Sequence, residues 1–211
     1  MPRVRVHQHV NPLAPFYRQS PEPVNIVKIF TKPEQPLHLD IGCARGRFIL
    51  RMAEAEAHWN FLGVEIREPL VDAANKIAEE KELGNLYYTF CNAMLWLEKL
   101  LSEIPAERLQ TVTIQFPDPW FKKKHAKRRM VNEEMVETIA KHLSPKGRIF
   151  IQTDIEFLAE EMFELFRANH AFEELKIKEN PFFIKTEREN AVEDKGLDVY
   201  RTLFISSSSP S

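Results

Sequence analysis

Residues 37–48 read LHLDIGCARGRF, and this stretch decides the fold. The short apolar run 37–41 is typical of a buried strand, and the amphipathic segment 46–57 predicts a helix directly after it. Gly42 allows a sharp turn after the strand, and Gly46 allows the helix to begin close to the sheet. A strand, a glycine turn and a helix in this order indicate the first unit of an α/β domain.

The same alternation continues along the chain. We predict further strands at 61–66, 86–90, 112–116 and 148–153, and helices at 69–83, 93–104, from Asn132 to about Leu143, and 156–168. Two strand-like pieces follow, at 175–178 and 199–205, with no strong helix predicted between them. Five strand–helix alternations imply right-handed crossovers. We therefore expect a Rossmann-like α/β fold: a mostly parallel seven-stranded sheet with helices on both faces and an antiparallel edge hairpin.

Length and composition indicate one domain. The chain has 211 residues, of which 44% are hydrophobic, enough for a single sizeable core. We assign residues 37–205 to that domain. Residues 1–36 are rich in proline and predict an irregular N-terminal arm with one short helix near 25–30. The Ser-rich residues 206–211 predict a disordered tail.

Composition also excludes several classes of protein. The two cysteines, Cys43 and Cys91, form no CxxC or Cys/His cluster, so we expect no metal and two small buried thiols. No apolar stretch approaches the roughly 18 residues of a membrane span. The first residues lack the apolar segment of a signal peptide, so we expect a cytoplasmic protein.

Candidate ligand-binding residues follow three successive strands. Asp40 lies at the mouth of the first strand, and Glu65 ends the second, about 20 residues past the glycine turn, where an acid can bind both ribose hydroxyls. After the third strand, Asn92 and Ala93 are placed to contact an adenine edge. The first turn is not the GxGxxG that admits a pyrophosphate. The set favours a ligand without phosphates that carries a positively charged amino-acid end, although each piece alone also suits an ordinary turn.

The loop after the fourth strand reads QFPDPWFKKKHAKRRM, residues 115–130. Two prolines bracket Asp118 and stiffen its turn. Trp120 and Phe121 offer flat surfaces on which a base could stack. A basic strip follows, whose candidate substrate residues are Lys122, Lys123, Lys124, Arg128 and Arg129. The net charge is only −2, but a polyanion responds to the local cluster rather than to the sum. Two alternatives remain open: the strip could be a solvated loop, and Trp120 a core anchor.

From residue 37 onward the chain resembles the Rossmann-like S-adenosylmethionine methyltransferases. That family's first turn is DxGxGxG, and this chain has Ala44 at the middle glycine. We expect a negative φ there, since Ala44 carries a Cβ. The resemblance implies S-adenosylmethionine as cofactor, held by Asp40, Gly42, Gly46, Glu65, Asn92, Ala93 and Asp118.

The motif FPDPWxKKxHxKRR is similar to the signature of the bacterial tRNA (guanine-N7)-methyltransferases. Two shorter elements fit the same family: QTDIE, which contains Asp154, and IKTERE, which contains Thr186 and Glu189. The resemblance implies tRNA as partner, methylation of the variable-loop guanosine (tRNA position 46), and substrate contacts from Asp154, Thr186 and Glu189. We assign Asp118 as the catalytic residue, a fixed carboxylate that would favour the shift of positive charge onto the base, and Lys122 with the basic strip as phosphate contacts. The resemblance implies no metal and no obligate protein partner.

Other functions predict different features. A methyltransferase for a small molecule needs a closed apolar acceptor pocket and no basic loop. An RNA-binding module that has lost catalysis predicts damaged cofactor residues, whereas Asp40, Glu65 and Asp118 are all present. A nicotinamide dehydrogenase is disfavoured because the third glycine of the dinucleotide turn is missing.

Overall fold

A computed structural model describes residues 10–105 and 107–207. These residues form one seven-stranded sheet in the order β3-β2-β1-β4-β5-β7-β6. The strands are β1 (Leu37–Ile41), β2 (Asn60–Glu65), β3 (Leu86–Phe90), β4 (Leu109–Gln115), β5 (Arg148–Thr153), β6 (Phe172–Leu175) and β7 (Tyr200–Ser206). The helices are α1 (Ile26–Ile29), α2 (Arg47–Ala55), α3 (Glu68–Glu80), α4 (Ala93–Ser102), α5 (Glu133–His142), α6 (Glu156–Arg167) and α7 (Glu187–Glu193).

The sheet is parallel from β1 to β5, and β7 runs antiparallel to both β5 and β6. The predicted fold class is confirmed. Strand order reverses between β1 and β4, which are hydrogen-bonded neighbours. In an open α/β sheet, ligands bind beyond the carboxyl ends of the strands at such a reversal. The loops after β1, β2, β3 and β4 therefore surround the expected site.

Two apolar clusters cover the two faces of the sheet. One joins β1 to α4, α5 and α6 and includes Leu39 and Ile41, which are almost fully buried. The other packs α2 and α3 against the opposite face and includes Ile49 and Phe150. Because side chains alternate along a strand, His38 and Asp40 point away from the first cluster and towards the face of α2.

The described part of the segment before β1, predicted to be an irregular arm, packs against the core. Val24, Ile26 and Phe30 are buried in the same cluster as α4. The predicted short helix is α1, whose cap residue Asn25 accepts a hydrogen bond from the Val27 amide. A 3-10 turn, Pro15–Arg18, precedes it. Along the described part of the chain, no helix combines the length and apolarity needed to cross a membrane.

The last third of the chain differs from the prediction. We predicted no strong helix between the last two strands, and this is wrong because α7 lies there. The sixth strand occupies Phe172–Leu175 instead of 175–178, and β7 extends to Ser206, the first residue assigned to the tail. Strand β4 begins three residues early, at Leu109. Residues 1–9 of the predicted arm and 208–211 of the predicted tail lie outside the described residues.

Candidate active site

The β1–α2 turn has a backbone that restricts its residues. Gly42 and Gly46 have φ values of +78° and +67°, in the left-handed region that glycine adopts without strain. A Cβ on Gly46 would lie 2.2 Å from the Tyr88 ring, and the Tyr88 hydroxyl donates to the Gly46 carbonyl oxygen at 2.8 Å. Gly46 is thus required both by its φ and by the close approach of β3.

Ala44 corrects one expectation. Its φ is +52°, so the predicted negative φ is wrong. A left-handed alanine costs about 1 kcal/mol. The Ala44 amide donates to Glu65 Oε2 at 2.9 Å, a charge-assisted bond that offsets this cost. The turn is therefore tied to the end of β2 although it lacks the middle glycine.

Asp40 lies in a line of buried polar groups across β1 and β4. Thr113 Oγ1 donates to Asp40 Oδ1 at 2.6 Å and lies 3.1 Å from His38 Nε2. A hydroxyl has one hydrogen, so if Thr113 donates to the carboxylate, His38 donates to Thr113. Burial lowers the pKa of His38 to about 3, which keeps the imidazole neutral. The line therefore orients one Asp40 oxygen at the mouth of β1.

Burial raises the pKa of Asp40 to about 6, with Glu65 adding to the rise and hydrogen bonds from Thr113 and Gln115 opposing it. Cys43 and Tyr88 also face this carboxyl, and burial raises the pKa of both. At neutral pH Asp40 is mostly an anion in a poorly solvated place. Such a group favours a cationic ligand over a neutral one.

Glu65 is almost fully buried, and Arg67 holds both of its oxygens. Arg67 Nε donates to Oε1 at 2.8 Å, and a terminal guanidinium nitrogen donates to Oε2 at 2.9 Å. The bond to Glu65 raises the pKa of Arg67, and the charge of Asp118 adds to it. Arg67 thus lies between the end of β2 and the loop after β4. The sequence analysis did not single out Arg67. Its position two residues after Glu65, an acid at a strand end, is a pattern that could have indicated this ion pair.

Asn92, a predicted cofactor residue, directly follows the loop at the end of β3. Its side chain is buried, and Nδ2 donates to the carbonyl oxygens of Pro12 at 2.8 Å and Tyr17 at 3.0 Å. Both amide hydrogens are used within the protein, and the predicted contact of Asn92 with the cofactor stays a prediction. Ala93 is buried at the start of α4.

The loop after β4 is held in a bent form. Phe116 and Trp120 have φ values of +51° and +43°. Arg129 Nε donates to the Pro119 carbonyl oxygen at 3.0 Å, and its guanidinium pairs with Glu161 of α6. Asp118 lies half-buried within this bend. Its charge reaches Arg67, so the loop brings Asp118 to the same edge as Glu65.

The basic strip divides into outward and inward residues. Lys122, Lys123 and Lys124 are exposed. Arg128 lies over the Trp120 ring at 5.0 Å, and Arg129 is paired as described, so these two support the loop. Their predicted contacts with the substrate stay predictions.

The aromatic residues of the loop divide in the same way. His125 and Arg128 pack against the ring of Trp120, which is half-buried. Phe121 is 68% exposed and lies edge-on to Phe157 of α6, with ring centroids 6.0 Å apart. Of the two predicted flat surfaces, Phe121 is the one that faces solvent.

The residues of the two shorter elements lie at the next strand. Asp154 follows β5 and pairs with Arg188 of α7. Thr186 caps α7 by accepting from the Glu189 amide at 3.0 Å. Glu189 is fully buried and accepts from Gln152, Asn180 and Arg201. The Glu189 side chain anchors α7 to β5, and its predicted contact with the substrate stays a prediction.

The two cysteines are free thiols. Cys91 is buried, which raises its thiol pKa to about 12, and burial also raises the pKa of Cys43. Within residues 10–105 and 107–207, no cluster of three or more His, Cys, Asp or Glu side chains is placed to hold a metal ion.

The strand order, the glycine turn and the acids at the ends of β1 and β2 define a class I methyltransferase. In agreement, the aminoglycoside resistance methyltransferase NpmB1 superposes with a TM-score of 0.58 over 86% of this chain and 90% of its own, at 19% identity. At that identity the likeness concerns the fold alone.

Comparison of sequences gives the family. A family model described as "Putative methyltransferase" matches residues 34–202. The tRNA (guanine-N(7)-)-methyltransferase of Trichormus variabilis is 53% identical over 97% of both chains. The Synechococcus elongatus protein of the same name is 52% identical over 97% of this chain and 98% of its own. The chain therefore belongs to the tRNA (guanine-N(7)-)-methyltransferase family.

The hydrogen bond from Thr113 to Asp40 leads to a prediction about the pKa of Asp40. Replacing Thr113 with Val removes a donor that favours the charged carboxylate, so the pKa of Asp40 should rise above about 6, by about one unit. About half of the molecules would then carry a neutral Asp40 at pH 7. Carboxyl-carbon NMR titration measures this directly. Thr113→Ser keeps the hydroxyl and should keep the original pKa; an unchanged Asp40 pKa in Thr113→Val would contradict the assignment.

Proposed function

We propose that this chain transfers a methyl group from S-adenosylmethionine to N7 of the variable-loop guanosine (tRNA position 46) of cytoplasmic tRNA. The observation that carries the proposal is the loop after β4, where Asp118 shares an edge with Glu65 and Arg67 while three lysines face solvent. The names of the relatives, which match over nearly the full chain, support the same substrate.

The residues at the ends of β1 and β2 fit the cofactor. S-adenosylmethionine supplies a methyl group on a positively charged sulfur. The buried Asp40 carboxylate would hold the cationic amino-acid end, and Gly42 leaves that turn without a side chain. Glu65 would accept hydrogen bonds from the ribose hydroxyls. These would replace part of the hydrogen bonding between Glu65 and Arg67. This ligand carries a cationic amino-acid end and a ribose but no phosphate. Two acids beside a glycine turn without the dinucleotide phosphate-binding motif fit these groups.

The chain's task in catalysis is alignment. Guanine N7 has a lone pair and no proton, so no general base is needed. What the protein must supply is an in-line approach at near-attack distance. During transfer, positive charge moves onto the purine. Asp118, fixed by the bent loop, would hold the donor edge of guanine and stabilise that charge.

Other parts of the loop would bind the rest of the RNA. Lys122, Lys123 and Lys124 are placed to contact phosphates. Phe121 offers a free ring face for a neighbouring base. Asp154 follows β5, which neighbours β4, and pairs with α7, the helix that Thr186 caps; we propose that Asp154 and Thr186 position the guanosine. Arg128, Arg129 and Glu189 would support the segments that carry these contacts.

The first test uses labelled S-adenosylmethionine and an unmodified tRNA transcript. We expect one methyl group per tRNA, and cleavage at N7-methylguanosine should map it to the variable loop. Label on another base would contradict the position. Cofactor binding without transfer to any tRNA would contradict the substrate and favour a small-molecule acceptor.

Asp118→Asn tests the catalytic assignment. The amide keeps the shape and loses the charge, so we expect kcat to fall by about 100-fold or more. The dissociation constant of S-adenosylhomocysteine, measured by calorimetry, should change much less. Equal losses in turnover and cofactor binding would make Asp118 a cofactor ligand without a catalytic role.

The lysines can be tested by salt dependence. In Lys123→Gln/Lys124→Gln, the slope of log affinity for tRNA against log salt should flatten by about 0.7 to 0.9 for each phosphate that the variant no longer neutralises. Lys28→Gln/Lys32→Gln is the matched control, because it removes the same charge from exposed positions before the amino end of β1. Equal slopes in the two double variants would show that the basic strip contributes only its net charge.

A further inference from the structure

The N-terminal segment is fixed at the carboxyl end of β3. Both hydrogens of the buried Asn92 amide are donated to it, at 2.8 Å to Pro12 and at 3.0 Å to Tyr17. Leaving such buried donors unpaired would be costly, so the contact is more than a surface association. Pro12 is itself buried.

The same segment is anchored further along the chain. Val24, Ile26 and Phe30 pack in one cluster with Leu97 and Leu101 of α4. Asn92 immediately precedes α4, so the segment is held at both ends of its path along that helix. Residues 12–17 are therefore fixed beside the loop that follows β3, and residues 24–30 are fixed further along α4.

Residues 12–17 place an aromatic ring at the ligand edge. Phe16 lies on the 3-10 turn between Pro12 and Tyr17 and is 54% exposed. Its ring centroid is 6.3 Å from that of Phe90, the last residue of β3, and 5.0 Å from that of Tyr17. A large apolar side chain that remains half exposed next to two other rings offers a face for a further flat group.

We propose that Phe16 covers the adenine of the bound cofactor, so that residues 12–18 form a wall of the adenosine subsite. The inference rests on the proposed function, which places the ribose at Glu65 and hence the adenine towards the loop after β3. It also gives Asn92 a role: the side chain positions this wall instead of donating to the adenine.

The test is the affinity for two adenine ligands without turnover. Calorimetry should show that Phe16→Ala binds both S-adenosylhomocysteine and 5′-methylthioadenosine about 5- to 100-fold more weakly, because the same stacking interaction is removed from both. Phe16→Trp should bind both at near wild-type affinity. The thermal midpoint should change little, since Phe16 is more than half exposed.

Phe183→Ala is the matched control. Phe183 is 66% exposed, but it lines a cavity of about 130 Å³ with His38 and Arg148 at the amino ends of the strands. Its removal should leave both affinities unchanged. Unchanged affinities in Phe16→Ala, or a loss for S-adenosylhomocysteine without a loss for methylthioadenosine, would overturn the proposal. If wild-type protein bound neither ligand, the proposed function itself would fail.

Discussion

A carboxylate at the end of β1 has to remain charged although it is buried, and much of the site depends on that requirement. Asp40 lies near the carboxyl end of β1, and burial raises its pKa to about 6. Thr113 on β4 offsets part of this cost, and His38 supports Thr113 from the interior. Because these residues lie on neighbouring strands in register, the sheet itself orients the acid. Gly42, two residues after the acid, adds no side chain of its own to the turn.

The second half of the site is built by a loop and not by the sheet, and it uses charge differently. Cations that lie close together in sequence separate in space: arginines turn inward onto Trp120, Phe157 and Glu161, while lysines remain outside. The planar guanidinium suits stacking and paired hydrogen bonds, whereas an exposed ammonium suits a phosphate. A chain with a net charge of −2 can thus present a locally cationic surface to an anionic partner.

The parts of this structure that sequence predicts are those with a local pattern. Strands β1, β3 and β5 have the predicted bounds because each is a short apolar run that ends at a turn. The end of the chain lacks such patterns. Strand β6 is an edge strand with two exposed residues, and α7 is short. The spacing of Thr186 and Glu189 is that of a helix cap, which would have indicated α7. The bonds of Asn92 to Pro12 and Tyr17 join residues that are 80 and 75 positions apart, and no local pattern predicts them.

Two segments outside the parallel core, the N-terminal segment and α7, are held at the carboxyl edge of the sheet by the same physical means. The N-terminal segment is bonded to Asn92 after β3, and α7 is bonded through Glu189 to Gln152 of β5. In each case a buried polar side chain near a strand end is satisfied by a segment outside the parallel core. A buried group of this kind resists displacement, because breaking its bonds leaves it both unpaired and unsolvated. The parallel core alone would provide an open crevice at the β1–β4 reversal. The N-terminal segment is bonded beside β3 and α7 beside β5, on opposite sides of that reversal in the strand order, so the place of each segment depends on the hydrogen bonds of one buried side chain.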